Sequence, residues 1–335
     1  MDTLTHIVLG AAVGEALMGK KVGKKAMLWG AIAANAPDID AVVNFFVTDI
    51  DSLVMHRGIT HSLFMAIIFG PLLGWMLSKA YKEKQFLTSW MWLITSNLIL
   101  HDLLDTCTVY GTGLLTPFSN YRFSLDNIFV ADPLYTLPLV ISGIALLIIK
   151  STDPSRYKWN RFGLIASSIY LVFTFYNHSS VVSALKSSMK EKGLASEKYF
   201  ATPTLFNNLL WYAVVQDTSG FWVGYYSIFD KTQNLSLNFI PKNEQMLGRL
   251  ADDAEINTLK NFTKGFYCLT VSDSALWFND MRFGQIGGWE KPNAKFAFAF
   301  DLTEDADNSI VVQKGRMEGS TRKMFGSMWQ RIKGN

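Results

Sequence analysis

Long uncharged runs separated by short charged clusters dominate the first 185 residues. One lies between His61 and Lys79, another between Lys84 and His101, a third between Asp132 and Lys150, and a fourth between Arg161 and Lys186. A spanning helix needs roughly 17 or more apolar residues. The fourth run is comfortably long enough and the others sit near the limit. Two weaker segments precede them, residues 4–18 and 26–47, the second interrupted by Asp38 and Asp40. The pattern predicts six hydrophobic helices, some short or partly re-entrant. The alternative is a soluble but very apolar helical bundle.

From about residue 200 the period changes to two. Lys295–Phe300 alternates polar or small residues with phenylalanine, and Phe221–Tyr226 is rich in aromatic strand formers. Residues 265–271 and 275–278 read as paired strands around Ser272, Asp273 and Ser274, and residues 244–262 as one helix. The fold class expected is therefore an α-helical polytopic membrane domain followed by a small, mostly antiparallel β (α+β) extramembrane domain. Its boundaries are 1–185 for the membrane domain, 195–310 for the strand-rich domain and 311–335 for a basic amphipathic tail. That tail mixes Arg316, Arg322, Lys323, Arg331 and Lys333 with Met324, Phe325, Met328, Trp329 and Ile332. It reads as a terminal helix docked on the preceding domain, or alternatively as one lying on a membrane surface.

Charge adds an orientation. Lys20, Lys21, Lys24 and Lys25 fill the first loop, Lys79, Lys82 and Lys84 the third, and Lys150, Arg156, Lys158 and Arg161 the fifth. The intervening loops, 48–60 and 105–132, hold only Arg57 and Arg122. Basic loops stay in the cytoplasm, so the histidine-bearing ends and everything after residue 186 are expected on the other side. No cleavable signal peptide is read at the N-terminus. The net charge of +3 on 335 residues gives no reason to expect a nucleic-acid partner. Cys107 and Cys268 have no CxxC spacing, so neither a disulfide framework nor a thiolate metal site is expected.

The candidate chemistry lies in the apolar half. Four of the five histidines fall in the first 101 residues, near carboxylates: Thr5-His6, Pro37-Asp38-Ile39-Asp40, His56-Arg57-Gly58-Ile59-Thr60-His61-Ser62 and His101-Asp102-Leu103-Leu104-Asp105. Pro37 breaks the helix before it and presents Asp38 and Asp40 from irregular backbone. His56 is expected in a loop and His61 at a helix start, with Thr60 or Ser62 as cap. His101 and Asp105, four apart on one helix, share a face and can bite one metal, while Asp102 points elsewhere and can orient a histidine. Taken singly, each motif has a bland reading as a core histidine or a turn. Together, so many ionisable groups at one end of short helices are costly unless paired with one another or with a cation.

These four motifs resemble the YdjM/YbcI-like family, bacterial membrane-bound proteins described as metal-dependent hydrolases. The resemblance covers about residues 1–180, and Asp132-Pro133-Leu134-Tyr135 fits the same pattern. The family is more distantly similar to the all-helical zinc-dependent phospholipase C and nuclease group. The resemblance implies His6, Asp38, His61, His101 and Asp105 as metal ligands, with Asp105 able to bridge two ions. It also implies a bacterial inner-membrane location. The chain has no further histidine pair for a third zinc, so one or two divalent ions are expected, Zn2+ first and Mn2+ second. With metal present, Asp40 or Asp102 would serve as general base or ligand support, and His56 would donate a proton to the leaving group. Arg57, Arg122 and Asp132 are the substrate-binding candidates, the arginines for a phosphate. For Arg57 the competing reading is ordinary pairing with Asp49 or Asp51. The substrate expected is a phosphoester or lipid-type ester at the bilayer surface. Two other functions fit the residues: an ion or proton transporter, and a metal-stabilised anchor presenting the C-terminal domain as a binding module. The oligomeric state is not legible.

Overall fold

The structure, a computed structural model, describes residues 1–45, 47, 49–272, 275–302 and 321–334. It divides into two compact units, Met1–Thr174 and Phe175–Asn335, the first helical and the second built on sheets.

The first unit contains α1 (Thr3–Val22), α2 (Lys24–Asn35), α3 (Asp49–Met55), α4 (Leu63–Ala80), α5 (Leu87–Thr106), α6 (Pro133–Ile148) and the first part of α7 (Ser155–Glu191). Among the described residues α4 alone is long and apolar enough to cross a bilayer on that measure, with a mean hydropathy of 1.6, and α6 is a shorter apolar helix. The six expected segments are all largely helical. The segment 26–47 is cut short: α2 stops at Asn35 and a 3-10 helix, Pro37–Phe45, follows. Outward faces are apolar where water would demand polar side chains. Ile67, Leu72 and Met76 on α4 and Leu137, Ile141, Ile144 and Ile148 on α6 are all exposed.

Glycines let the helices approach. A Cβ on Gly14 of α1 would lie 2.1 Å from the Ala26 carbonyl of α2, and one on Gly30 would lie 2.1 Å from the Gly10 carbonyl. On α4, a Cβ on Gly74 would lie 2.5 Å from Met91 Cα of α5. Small residues four apart at such contacts are the usual solution in apolar surroundings, where close packing drives association. Because the obstacles are backbone atoms, Gly14→Val should destabilise by at least about 1–3 kcal/mol. Gly143→Ala, whose Cβ meets nothing within 4 Å, should be nearly neutral. Thermal unfolding in detergent compares them, and equal shifts would remove the packing argument.

Arg156 corrects the loop-charge count. It is buried and makes a bidentate pair with Glu15 of α1, at 2.8 and 2.7 Å. Its remaining nitrogen donates to the carbonyls of Leu146 and Ile149 at the end of α6, at 2.5 and 2.8 Å. A cation at a helix C-terminus meets carbonyls that have no partner within the helix. Arg156 is therefore an internal tie, while Lys158 and Arg161 remain exposed.

The second unit holds a four-stranded antiparallel sheet, β1 (Tyr199–Pro203), β2 (Leu210–Gln216), β3 (Gly220–Ser227) and β4 (Asn238–Pro241) in sequential order. A three-stranded sheet follows: β5 (Tyr267–Ser272), β6 (Ala275–Asp280) and β7 (Ala299–Asp301). The expected β5–β6 hairpin forms, with Ser272 paired opposite Ala275 rather than in the connection. Asp273 and Ser274 lie outside the described residues. The alternating run at 295–300 supplies only the start of β7, with Phe296 in an isolated bridge to Gln285. The single helix expected at 244–262 is two pieces, a 3-10 stretch Glu244–Asp252 and α8 (Ala254–Phe262). Gly248 at φ 51° breaks the first, and Asp253 caps the second through Glu255 N at 2.8 Å. In the tail, α9 (Thr321–Ile332) packs Met328 and Ile332 on Leu210, and Arg331 pairs with Asp230 at 2.7 Å. Residues 311–320 lie outside the described residues.

Candidate metal centre

The centre is assembled by helix ends. Pro37 stops α2 and turns Asp38 and Asp40 inward on the 3-10 helix. α3 ends at Met55, leaving His56 and Arg57 in the turn, and the short 3-10 segment Ile59–His61 carries His61. Ser62 caps α4, accepting from Met65 N at 3.2 Å. Thr60 does not cap; it donates to Asp40 at 2.8 Å. His101 and Asp105 lie on the last turns of α5.

Asp38, His61, His101 and Asp105 bring one donor atom each within 4.8 Å of one another. His61 Nε2 is 3.3 Å from Asp38 Oδ1 and 3.7 Å from Asp105 Oδ2. His101 Nε2 is 3.6 Å from Asp38 Oδ1 and 3.7 Å from Asp105 Oδ2. Metal–ligand bonds of about 2.0–2.1 Å in a tetrahedron imply donor separations of about 3.3–3.5 Å. The four histidine–aspartate separations stand close to that spacing. Among the described residues, His101 Nε2 is buried without a hydrogen-bond partner, and Asp105 Oδ2 is buried with the Arg57 guanidinium as its ion-pair partner at 2.9 Å. The donor set of two imidazoles and two carboxylates suits a divalent cation of intermediate softness.

The opposite ring nitrogens are tied. His101 Nδ1 donates to the Ala34 carbonyl at 2.6 Å, which leaves Nε2 without a proton. His61 Nδ1 lies 3.1 Å from Thr60 Oγ1 and 3.3 Å from Asp40 Oδ2. His56 Nδ1 donates to the other Asp40 oxygen at 2.9 Å. Asp40 also accepts from Arg57 N at 3.1 Å, holding Arg57 at φ 59°. Such a backbone is strained for a large side chain and is common at functional sites. Asp40 is thus the hub that orients both histidines of the loop. A second group, Asp38, Asp40 and His56, has donor atoms as close together as the first, but Asp40's oxygens are already taken up by these hydrogen bonds.

The remaining candidates take varied positions. His6 stacks on His101, ring centroids 3.8 Å apart, and its Nε2 lies 3.2 Å from Asp105 Oδ1. The Met1 amine contacts that same oxygen. His6 therefore lies on the far oxygen of Asp105, outside the group of four. Arg57 pairs with Asp105, Nε to Oδ2 at 2.9 Å, and donates to Thr108 at 2.8 Å. The alternative pairing with Asp49 or Asp51 falls on side chains outside the described residues. Arg122 donates to the His56 carbonyl at 2.8 Å, bracing the loop. The expected orienting role of Asp102 is not seen. It is buried, and among the described residues neither oxygen has a hydrogen-bond partner. Asp132 is not brought into either group; it caps α6 through Leu134 N at 2.9 Å and accepts from Tyr170 at 2.8 Å. Sequence reasoning missed Tyr110, whose ring lies 4.9 Å from the Arg57 guanidinium, because a tyrosine in a long loop carries no spacing signal.

The YdjM inner membrane protein family model matches residues 1–181, the stretch that carries this cluster. The chain belongs to the YdjM inner membrane protein family. It is 27% identical over 235 residues to a Bacillus subtilis (strain 168) protein described as uncharacterized protein YfhP, covering 67% of this chain and 68% of that one. It is 32% identical over 122 residues to inner membrane protein YbcI of Escherichia coli (strain K12), covering 36% of this chain and 69% of the relative. No solved structure matches. Membership makes this a membrane protein, and the cluster gives it a possible metal-binding site.

Proposed function

We propose that this chain is a multi-pass, metal-dependent hydrolase of the bacterial inner membrane that cleaves a phosphoester or lipid-type ester on the non-cytoplasmic side. The observation that carries the reading is the convergence of four donor atoms, each histidine nitrogen 3.3–3.7 Å from both carboxylate oxygens, with His101 fixed in the ligating tautomer and His61 oriented by Asp40. Asp38, His61, His101 and Asp105 would hold the ion, taken here as Zn2+ with Mn2+ as the other candidate. When bound, it would supply the Lewis acidity that activates water and polarises an ester oxygen.

The chain's own residues account for the rest. Access is from the side of Asp38 and His56, whose side chains are 27% and 29% exposed while His61, His101 and Asp105 are at most 1%. Asp40 holds His56 by Nδ1, so Nε2 faces away and can pass a proton to a leaving group. Arg57, packed on Tyr110 and already paired with Asp105, is the cation beside the cluster that would share its charge with a phosphate oxygen. Arg122 supports the loop that carries both. A transporter reading has one observation in its favour, the buried and unpartnered carboxylate of Asp102.

Metal analysis of the protein purified into nanodiscs, with a panel of phosphodiesters and phospholipids, separates these. Hydrolysis should vanish on chelation and return with Zn2+ or Mn2+. Fewer than about one ion per chain, or metal without hydrolysis of any member, would overturn the proposal.

A further inference from the structure

The second unit contains a cavity of about 590 Å³ beside β4 and the β5–β7 sheet, within the range typical of small-molecule sites. Trp277, Phe239 and Phe296 give it aromatic walls. Four amides also line it: Asn243, Asn279, Gln285 and Asn293. The nitrogens of the first three donate to the protein. Asn243 Nδ2 donates to the Leu269 carbonyl at 3.0 Å, and Asn279 Nδ2 to the Cys268 carbonyl at 3.1 Å and to Thr270 Oγ1 at 2.9 Å. Gln285 Nε2 donates to the carbonyls of Pro292 and Ala294, both at 2.9 Å.

What Asn243, Asn279 and Gln285 offer a ligand is therefore mainly carbonyl oxygen, held in fixed orientation. Their match is a set of hydrogen-bond donors. Lys295 in the lining disfavours a cationic ligand. Donors without positive charge, beside aromatic faces, describe the hydroxyls and C–H faces of a sugar. An acyl chain would leave the amide oxygens unmatched. We propose that this cavity is a binding site for a neutral saccharide. The site stands independently of hydrolysis in the first unit.

The test is saturation-transfer NMR on the full chain in nanodiscs free of glycoside detergent. The probes are glucose, N-acetylglucosamine and their β1,4-linked disaccharides, with decanoate as the apolar alternative. At least one sugar should bind. Trp277→Ala should weaken it about tenfold or more, and Trp277→Phe, which keeps an aromatic wall, should weaken it less. Trp329→Ala, on the exposed face of α9, should leave it unchanged. Absence of sugar binding, binding indifferent to both Trp277 variants, or Trp277-dependent binding of decanoate alone would each overturn the proposal.

Discussion

Asp105→Asn should abolish metal binding and hydrolysis together. One oxygen of Asp105 faces the Nε2 atoms of His61 and His101 and the Arg57 guanidinium; the other faces His6. Asparagine keeps the shape but removes the charge that a divalent ion needs among buried imidazoles. Losing several kcal/mol of charge stabilisation predicts a fall in turnover of at least about a thousandfold. Asp40→Asn should act differently. It loosens His56 and His61 without removing a donor from the group of four, so metal affinity should fall by about 10–100-fold. Metal titration and turnover measured on both variants check this. Equal loss in the two would mean that Asp40 is itself a ligand. Retained metal in Asp105→Asn would mean that the cluster is not the site.

Arg156→Ala should be the most destabilising single change away from that centre. Glu15 and Arg156 are each less than a tenth exposed. Removing the arginine leaves a buried carboxylate uncompensated and frees the carbonyls at the end of α6. Breaking one side of such a pair costs about 3–5 kcal/mol. Replacing both partners by apolar residues of similar volume, Glu15→Leu with Arg156→Met, should recover much of that loss. Thermal unfolding in detergent measures both. A single variant no weaker than the double would show that the pair contributes nothing by its charge.

The motifs that were legible in the sequence are those governed by local rules. Pro37 had to end α2. The four-residue spacing of His101 and Asp105 had to place them on one face. The hairpin at 267–280 followed from period-two alternation. What was not legible depended on distant partners. Arg156 looked like a loop cation because its neighbours are polar, and its partner Glu15 lies far off in sequence. Asp40 read as a general base because nothing local shows that four donors surround it. His6 and Asp132 matched a family pattern, yet one stands behind Asp105 and the other caps a helix. The glycines of α1, α2 and α4 carry no signal of their own, because the backbone each one meets belongs to another helix. The helix at 244–262 failed for the opposite reason: one glycine in a positive-φ turn overrode an otherwise continuous pattern.

The hydrogen bond from His101 to Ala34 has a consequence for how such a site can be lost. Its acceptor is a main-chain atom, so no change of side chain at position 34 deletes it. What exposes it is the ending of α2 just before Pro37. A chain with every histidine and aspartate in place, but with α2 running on, would commit that carbonyl elsewhere and free His101 to take either tautomer. Inheritance of this centre therefore depends on where a helix stops as much as on which ligands are kept.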